Sequence, residues 1–145
     1  MGNKRGDRGA AAVELALVLP VLMLLVMGII DFGLAYNRQI TLSGGAREGA
    51  RWLALHPAQA DVARDKTRFA GPLEPDGAPL LASSDVALCT VVSGGTCTPS
   101  ATATPTCASG QTVFLVASSG FAFSIPFGPQ LTITIKGKGV MRCGG

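Results

Sequence analysis

A run of 21 residues from Ala10 to Ile30 contains a single charged side chain, Glu14. As an α-helix, a run of this length spans about 31 Å, which matches the hydrocarbon thickness of a bilayer. We therefore predict a single membrane-spanning helix with the lipid bilayer as its partner. Pro20 lies inside this run and lacks a backbone N–H, so it predicts a helix kink at that point rather than a helix end.

The balance of charge and hydrophobicity is consistent with a membrane-anchored chain. Of the 145 residues, 48% are hydrophobic and only 14% are charged, which argues against disorder. The formal net charge of +3 is concentrated in residues 1–9, a basic, glycine-rich leader. Cations directly before a span favour the cytoplasmic side, so we predict a cytoplasmic N-terminus and an outward-facing remainder. No Lys/Arg cluster alternates with aromatic residues, and we expect no nucleic-acid partner.

Helical periodicity continues beyond the apolar run through residues 31–55, and no proline follows before Pro57. We predict one helix from about Ala10 to Leu55, whose amphipathic second half lies in the aqueous compartment. The triplet at 43–45 contains two glycines, each of which costs a helix interior about 1 kcal/mol relative to alanine. A bend or break at this triplet therefore remains an alternative.

Small residues form a strip along the second half of the predicted helix. Such a strip lets another element approach the helix backbone closely. Its partner is either the chain's own β-domain or a neighbouring subunit, and the sequence leaves both alternatives open. The helix-packing strip consists of Ala46, Gly49, Ala50 and Ala54.

The remainder of the chain divides into two regions. Residues 56–85 contain four prolines and mixed charges, and we interpret them as a connection with at most one short helical turn. Residues 86–145 indicate a small antiparallel β-domain with turn signals at 118–120 and 128–129. The fold class is therefore α+β, a long transmembrane helix that extends into a small antiparallel sheet. The predicted strands cover 86–92, 112–117, 121–125, 131–136 and an edge extension at 139–143.

Two of the predicted strands alternate clearly between apolar and polar residues. Their apolar side chains are expected to point to one buried face, with Thr132, Thr134 and Lys136 facing water. The side chains predicted to be buried are Phe121, Phe123, Ile125, Leu131, Ile133 and Ile135.

Four cysteines lie in the predicted β-domain, and their even number behind an apolar N-terminus indicates two disulfides made in an oxidising compartment. Their spacing is not that of a zinc site and His56 is the single imidazole, so we expect no metal. Three pairings are possible. The Ser/Thr/Gly/Pro-rich segment 93–112 needs a covalent tie, which favours Cys97–Cys107 and leaves Cys89–Cys143.

Catalytic groups are sparse in this sequence. His56 has no partner that the sequence specifies, and the carboxylates of residues 56–85 fall in predicted loops, where solvation explains them. The glycine pairs lack the lysine and the strand-to-helix context of a phosphate-binding loop. We therefore expect neither an enzyme nor a cofactor, and a structural or assembly role is favoured.

Several short pieces of the chain occur in an order that is typical of one family. They are Arg8-Gly9, Val13-Glu14, Leu19-Pro20, GIIDFG at 28–33, Tyr36, AREGARWLAL at 46–55 and the tail LTITIKGKGVMRC at 131–143. In these pieces the chain resembles TadE-like pseudopilins, the minor subunits of the tight-adherence (Flp, type IVb) pilus machinery. Together they cover roughly half of the chain, from both ends.

The resemblance implies a cleavage and an assembly contact near the N-terminus. A prepilin peptidase would cut between Gly9 and Ala10, which makes Glu14 the fifth residue of the mature chain. Glu14 would then meet the free N-terminal amine of a neighbouring subunit, and a buried carboxylate is tolerated when it is paired. The residues alone allow another interpretation, because an acid in the first turn of a helix interacts favourably with the helix dipole.

The resemblance also implies a location and a set of partners. The protein would be a single-pass protein of the bacterial inner membrane with a periplasmic or extracellular C-terminal domain, and either incorporated in the pilus or retained in the membrane. Its partners would be the prepilin peptidase, other pilin or pseudopilin subunits and the inner-membrane assembly platform of a pilus for adhesion or surface attachment. The alternatives are a Sec-secreted β-domain cut near Ala35 and a membrane-anchored binding protein that uses the C-terminal domain.

Overall fold

One helix, α1 (Lys4–Leu55), contains 52 residues and forms the first third of the protein. The computed structural model describes residues 4–92, 95–123 and 129–144, with the side chains of α1 from Gly9 onward. The helix ends where the sequence predicts but begins six residues earlier. The leader contains no proline, and its residues extend a helix that the apolar run has already nucleated, so they add turns at little cost.

The glycine-containing triplet at 43–45 does not interrupt α1. Gly45 lies against the helix that follows, and a Cβ placed on it would be only 2.6 Å from the carbonyl oxygen of Thr67. Close packing therefore offsets the helix-propensity cost of this glycine. Pro20 also lies inside the continuous helix rather than at its end.

A second helix, α2 (Ala60–Ala70), occupies part of the region that was predicted to be a connection. Its 11 residues make about three turns, so the prediction of at most one short turn was wrong. Two of its four buried residues are the polar Arg64 and Thr67, which obscured the face that packs against α1. Two i,i+3 ion pairs also stabilise this helix, the buried Arg64 with Asp61 at 2.9 Å and the half-buried Arg68 with Asp65 at 3.0 Å.

Three antiparallel strands follow in the order β1 (Val86–Val92), β2 (Gln111–Phe123) and β3 (Leu131–Arg142). The predicted α+β class is confirmed, and β1 has its predicted bounds. The predicted turn at 118–120 was wrong, because Ser118, Ser119 and Gly120 pair in register with β3 and continue the ladder. The separate segment at 139–143 is likewise the continuation of β3 through Gly137. Ser124, Ile125 and Gly128 of the predicted strand end and turn lie outside the described residues.

The core lies between α1 and one face of the sheet. Its centre is completely buried, and α2 closes one side of it against α1. The fully buried apolar residues of α1 and the sheet are Leu42, Ala46, Ala50, Leu53, Val86, Leu88, Val113, Leu115 and Ala117.

The predicted alternation along β2 and β3 holds only in part. Phe121 and Ile135 are buried, whereas Leu131 is 55% and Ile133 is 39% exposed. The reason is that β1 pairs with β2 only as far as Ala117. Beyond that point β2 and β3 continue as a two-stranded ribbon, which shields its apolar face less completely.

Both disulfides form, but with a pairing that differs from the prediction. The structure joins Cys89 to Cys97 and Cys107 to Cys143. After β1 the chain folds back so that Ser100 exchanges two backbone hydrogen bonds with Leu88, and this brings Cys97 beside Cys89. Strand register therefore decides the pairing, since it places Cys97 beside Cys89 and leaves Cys107 to pair with Cys143.

Candidate functional site

The apolar half of α1 is not covered by the rest of the protein. All side chains from Gly9 to Ile30 are exposed, and the most apolar window of 18 residues has a mean hydropathy of 2.7. A helix that is apolar on all sides and uncovered is unlike a core helix of a soluble domain, which buries at least one face. This half of α1 is therefore a candidate membrane anchor by its length and composition.

The residues of the predicted cleavage and assembly site lie at the start of this apolar half. Gly9, Ala10 and Glu14 all belong to α1, and all three are exposed. Ala10 and Glu14 are four residues apart, which corresponds to about 6 Å along a helix and places both on one side of it. Glu14 therefore lies above Ala10 on the same face, and one neighbouring molecule can contact both.

The small residues of the helix-packing strip contact the protein's own domain. Ala46 and Ala50 are completely buried, Gly49 is buried and Ala54 packs partly buried against the core. A Cβ placed on Gly49 would collide with the Thr67 hydroxyl of α2. In this structure the strip brings α1 close to α2 and the sheet, and it leaves little of these residues accessible to a second subunit.

Comparison with known proteins bears on this helix. The family model of TadE-like proteins matches residues 9–51. This segment is TadE-like. The predicted resemblance is thus confirmed for these residues. No curated protein and no solved structure matches the chain.

The TadE-like segment contains both the uncovered half of α1 and most of its packed half. It begins at Gly9 and includes Glu14, Pro20 and the strip as far as Ala50. It ends before α2 and the sheet. The resemblance of the tail at 131–143 therefore stays a prediction, and the β-domain is characterised by its geometry alone.

Two glycines of β3 allow the sheet to pack directly on the TadE-like helix. A Cβ on Gly137 would collide with the backbone of Leu42, and one on Gly139 with the backbone of Ala46. These two glycines were not among the residues predicted from the sequence. Glycines at i and i+2 lie on the same face of a strand, and this spacing is the sequence signal that indicates a face free of side chains.

Arg64 attaches the long segment after β1 to the domain. It is only 5% exposed, and its guanidinium donates hydrogen bonds to the Asp61 carboxylate and to the carbonyl oxygen of Ala103. A buried guanidinium with such partners orders the segment that Cys97 and Cys107 delimit. The residue type alone did not indicate that Arg64 is buried, since charged residues of helices are normally solvated.

His56, the single imidazole, lies just beyond the end of α1. Its ring stacks on Trp52 with 4.1 Å between ring centroids, and its Nδ1 lies 3.2 Å from the Trp52 carbonyl oxygen. These contacts fit a residue that finishes the helix. Within the residues that the structure describes, no group of three His, Cys, Asp or Glu side chains is placed to hold a metal ion.

Proposed function

We propose that the protein is a minor pseudopilin that takes part in the assembly of a Flp-type pilus for adhesion or surface attachment. The observation that carries this proposal is one continuous helix with two different halves. The half from Gly9 to Ile30 is apolar and uncovered, and the half from Ala35 to Leu53 lies under a disulfide-bonded sheet. A membrane-anchored subunit that presents a folded head outside the membrane requires this division.

The proposed orientation rests on charge and on redox chemistry. The basic leader favours a cytoplasmic N-terminus. The disulfides favour an oxidising compartment for the C-terminal domain, outside the cytoplasm. The two criteria are independent and agree, and they support a single-pass protein of the inner membrane with its head in the periplasm.

Glu14 is the proposed assembly residue. A carboxylate within hydrocarbon costs several kcal/mol unless it is paired or reaches the interface. Cleavage between Gly9 and Ala10 by a prepilin peptidase would create a new amine, and pairing of that amine with Glu14 of a neighbouring subunit would offset both charges. The exposure of both residues on one side of α1 supports such a contact.

The first test concerns processing. The protein is purified from membranes of its native host, and its intact mass and N-terminal peptide are measured. We expect a mature chain that begins at Ala10, because the leader would be removed by the peptidase. Retention of Met1 in cells with an active prepilin peptidase would contradict the proposal.

The second test concerns the role of Glu14 after processing. Glu14→Ala is compared with Glu48→Ala, which removes an exposed acid from the packed half of the same helix. We expect normal leader cleavage in both variants. Pili and co-assembly with the major pilin should be lost only in Glu14→Ala, and normal pili in that variant would exclude the proposed pairing.

The alternative of a Sec-secreted domain cut near Ala35 is not favoured. Ala35 is only 9% exposed and lies within continuous α1, where a signal peptidase has no extended segment to bind. The alternative of a membrane-anchored binding protein has no specific observation in its favour.

A further inference from the structure

The ribbon formed by the ends of β2 and β3 points toward the apolar half of α1. Beyond Ala117 the two strands pair without β1, from Ser118↔Lys136 to Phe123↔Leu131. Gly137 lies at Leu42 and Gly139 lies at Ala46, so β3 runs beside α1 in the same direction. The Leu131 end of β3 therefore lies on the side of the apolar residues.

The height of this end can be estimated from standard geometry. Six strand residues from Gly137 back to Leu131 span about 20 Å, which equals roughly 13 residues of a helix. Counted back from Leu42, this distance reaches the last residues of the apolar run. The described part of the ribbon, up to the pair Phe123 and Leu131, thus reaches close to the level at which the predicted span ends.

The residues of α1 at which burial begins place the ribbon end at the same level. From Gly9 onward, Asp31 is the first residue of α1 that is partly covered, and Ala35 is the first that is buried. One turn further, Arg38 donates a hydrogen bond to the carbonyl oxygen of Gly120 in the ribbon. The protein's own domain therefore begins to cover the helix just where the apolar run stops.

One face of the ribbon end is apolar and the other carries the exposed Thr132 and Thr134, and aromatic residues lie at the same level. Leu131 is 55% and Ile133 is 39% exposed on the ribbon. Trp and Tyr side chains concentrate at the interface between a membrane and water, because their rings are amphipathic. At this level Tyr36 and Phe32 are exposed on α1, and Phe123 is half-buried on β2.

We propose that the end of the β2–β3 ribbon is a second membrane contact, in which Leu131 and Ile133 enter the interfacial layer of the leaflet from which α1 emerges. This inference rests on the proposed membrane anchor. Lipid is the favoured occupant because the exposed apolar side chains of the ribbon lie at the same level along the α1 axis as the end of its uncovered apolar half. Two points of contact, α1 and the ribbon, would fix the tilt of the head relative to the membrane.

The test uses the full-length protein reconstituted in phosphatidylcholine and phosphatidylglycerol vesicles with brominated acyl chains, which quench nearby tryptophan fluorescence. In a Trp52→Phe background, Leu131→Trp reports on the ribbon end. Val140→Trp is the matched control, because Val140 is 44% exposed at the opposite end of the same strand. Leu25→Trp reports on insertion of the span, and Ile133→Trp provides a second reporter at the ribbon end. Retention of both disulfides, measured by mass, establishes that each variant is folded.

We expect the emission of Leu131→Trp and Ile133→Trp to fall by about twofold or more with lipids brominated near the headgroup, the depth of interfacial aromatic residues. Val140→Trp should be unaffected. Strong quenching at Leu25 without quenching at Leu131 and Ile133 would overturn the inference while leaving the anchor intact, and would point to a neighbouring subunit as the occupant. Absence of quenching at Leu25 as well would overturn both the inference and the proposed anchor.

Discussion

The guanidinium of Arg38 donates a hydrogen bond of 3.0 Å to the carbonyl oxygen of Gly120, a residue 82 positions away in the sequence. The same guanidinium lies 5.2 Å from the ring centroid of Phe121, within the range of a cation–π contact. These contacts join α1 to the β2–β3 ribbon beyond the reach of β1. Arg38 is therefore the main polar link by which the described part of the ribbon is held to the helix.

Arg38→Met should loosen the ribbon without unfolding the domain. The change removes one charge-assisted hydrogen bond and one cation–π contact, and we expect a loss of roughly 1–2 kcal/mol in the free energy of unfolding. Hydrogen exchange of the amides at 118–123 should accelerate, whereas that of β1 should not. Arg47→Met, at an exposed position of the same helix, is the control. Equal exchange in both variants would show that the link has no role in holding the ribbon.

Two adjacent glycines of α1 should respond in opposite directions to substitution by alanine. A Cβ on Gly45 would lie 2.6 Å from the Thr67 carbonyl oxygen and 3.0 Å from the Gly71 nitrogen, whereas a Cβ on Gly44 meets no atom within 4 Å. Gly45→Ala should destabilise the protein by roughly 1–3 kcal/mol through overpacking. Gly44→Ala should stabilise it by up to about 1 kcal/mol through helix propensity. Chemical denaturation of both variants measures the difference, and equal effects would refute close packing of α2 on α1.

The two disulfides should contribute unequally to stability. Cys107–Cys143 closes a loop with a sequence separation of 36, and Cys89–Cys97 one with a separation of 8. In the chain-entropy model the stabilisation by a disulfide increases with the length of the loop that it closes. We therefore expect removal of Cys107–Cys143 to lower the free energy of unfolding by about 1 kcal/mol more than removal of Cys89–Cys97. Paired Cys→Ser variants in urea denaturation test the difference. Peptide mapping without reduction tests the pairing itself, and a Cys97–Cys107 peptide would contradict it.

Arg64 should control the order of the segment after β1. Arg64→Met keeps the aliphatic packing but removes the hydrogen bond to Ala103, and we expect a cost of roughly 1–2 kcal/mol in the free energy of unfolding. Limited proteolysis should then cut within residues 98–106 more rapidly than in the native protein. Lys66→Met, on the exposed side of α2, should leave the cleavage rate unchanged. An unaltered rate in Arg64→Met would mean that the disulfides alone order the segment.

The sequence predicted those features that depend on periodicity and length. The long apolar run and the helical pattern after it were sufficient for α1 to Leu55, and the β-branched residues at 86–92 were sufficient for β1. Local signals failed where a distant partner decides the structure. Ser118 and Gly120 are typical of a turn, yet their pairing with β3 keeps them in a strand. The same holds for Cys97, whose partner follows from the register of Ser100 with Leu88.

The residues of the candidate site divide in a similar way. Gly9 and Glu14 are proposed from the sequence because they belong to a run of motif pieces in a fixed order, and both lie within the TadE-like segment. The role of Arg38 could not be predicted from the sequence, because its partner is a main-chain oxygen and any residue at position 120 would present one. Arg64 was missed for a related reason, since burial of a guanidinium depends on carbonyl groups that are far away in the sequence.

The unbroken course of α1 has a mechanical consequence. A helix of 52 residues is about 78 Å long, more than twice the thickness of the apolar layer that its first half matches. Since no loop separates the two halves, there is no slack between them. A force applied along the axis at the apolar end is transmitted to the C-terminal domain as rigid-body displacement, and that domain moves by as much as the helix does.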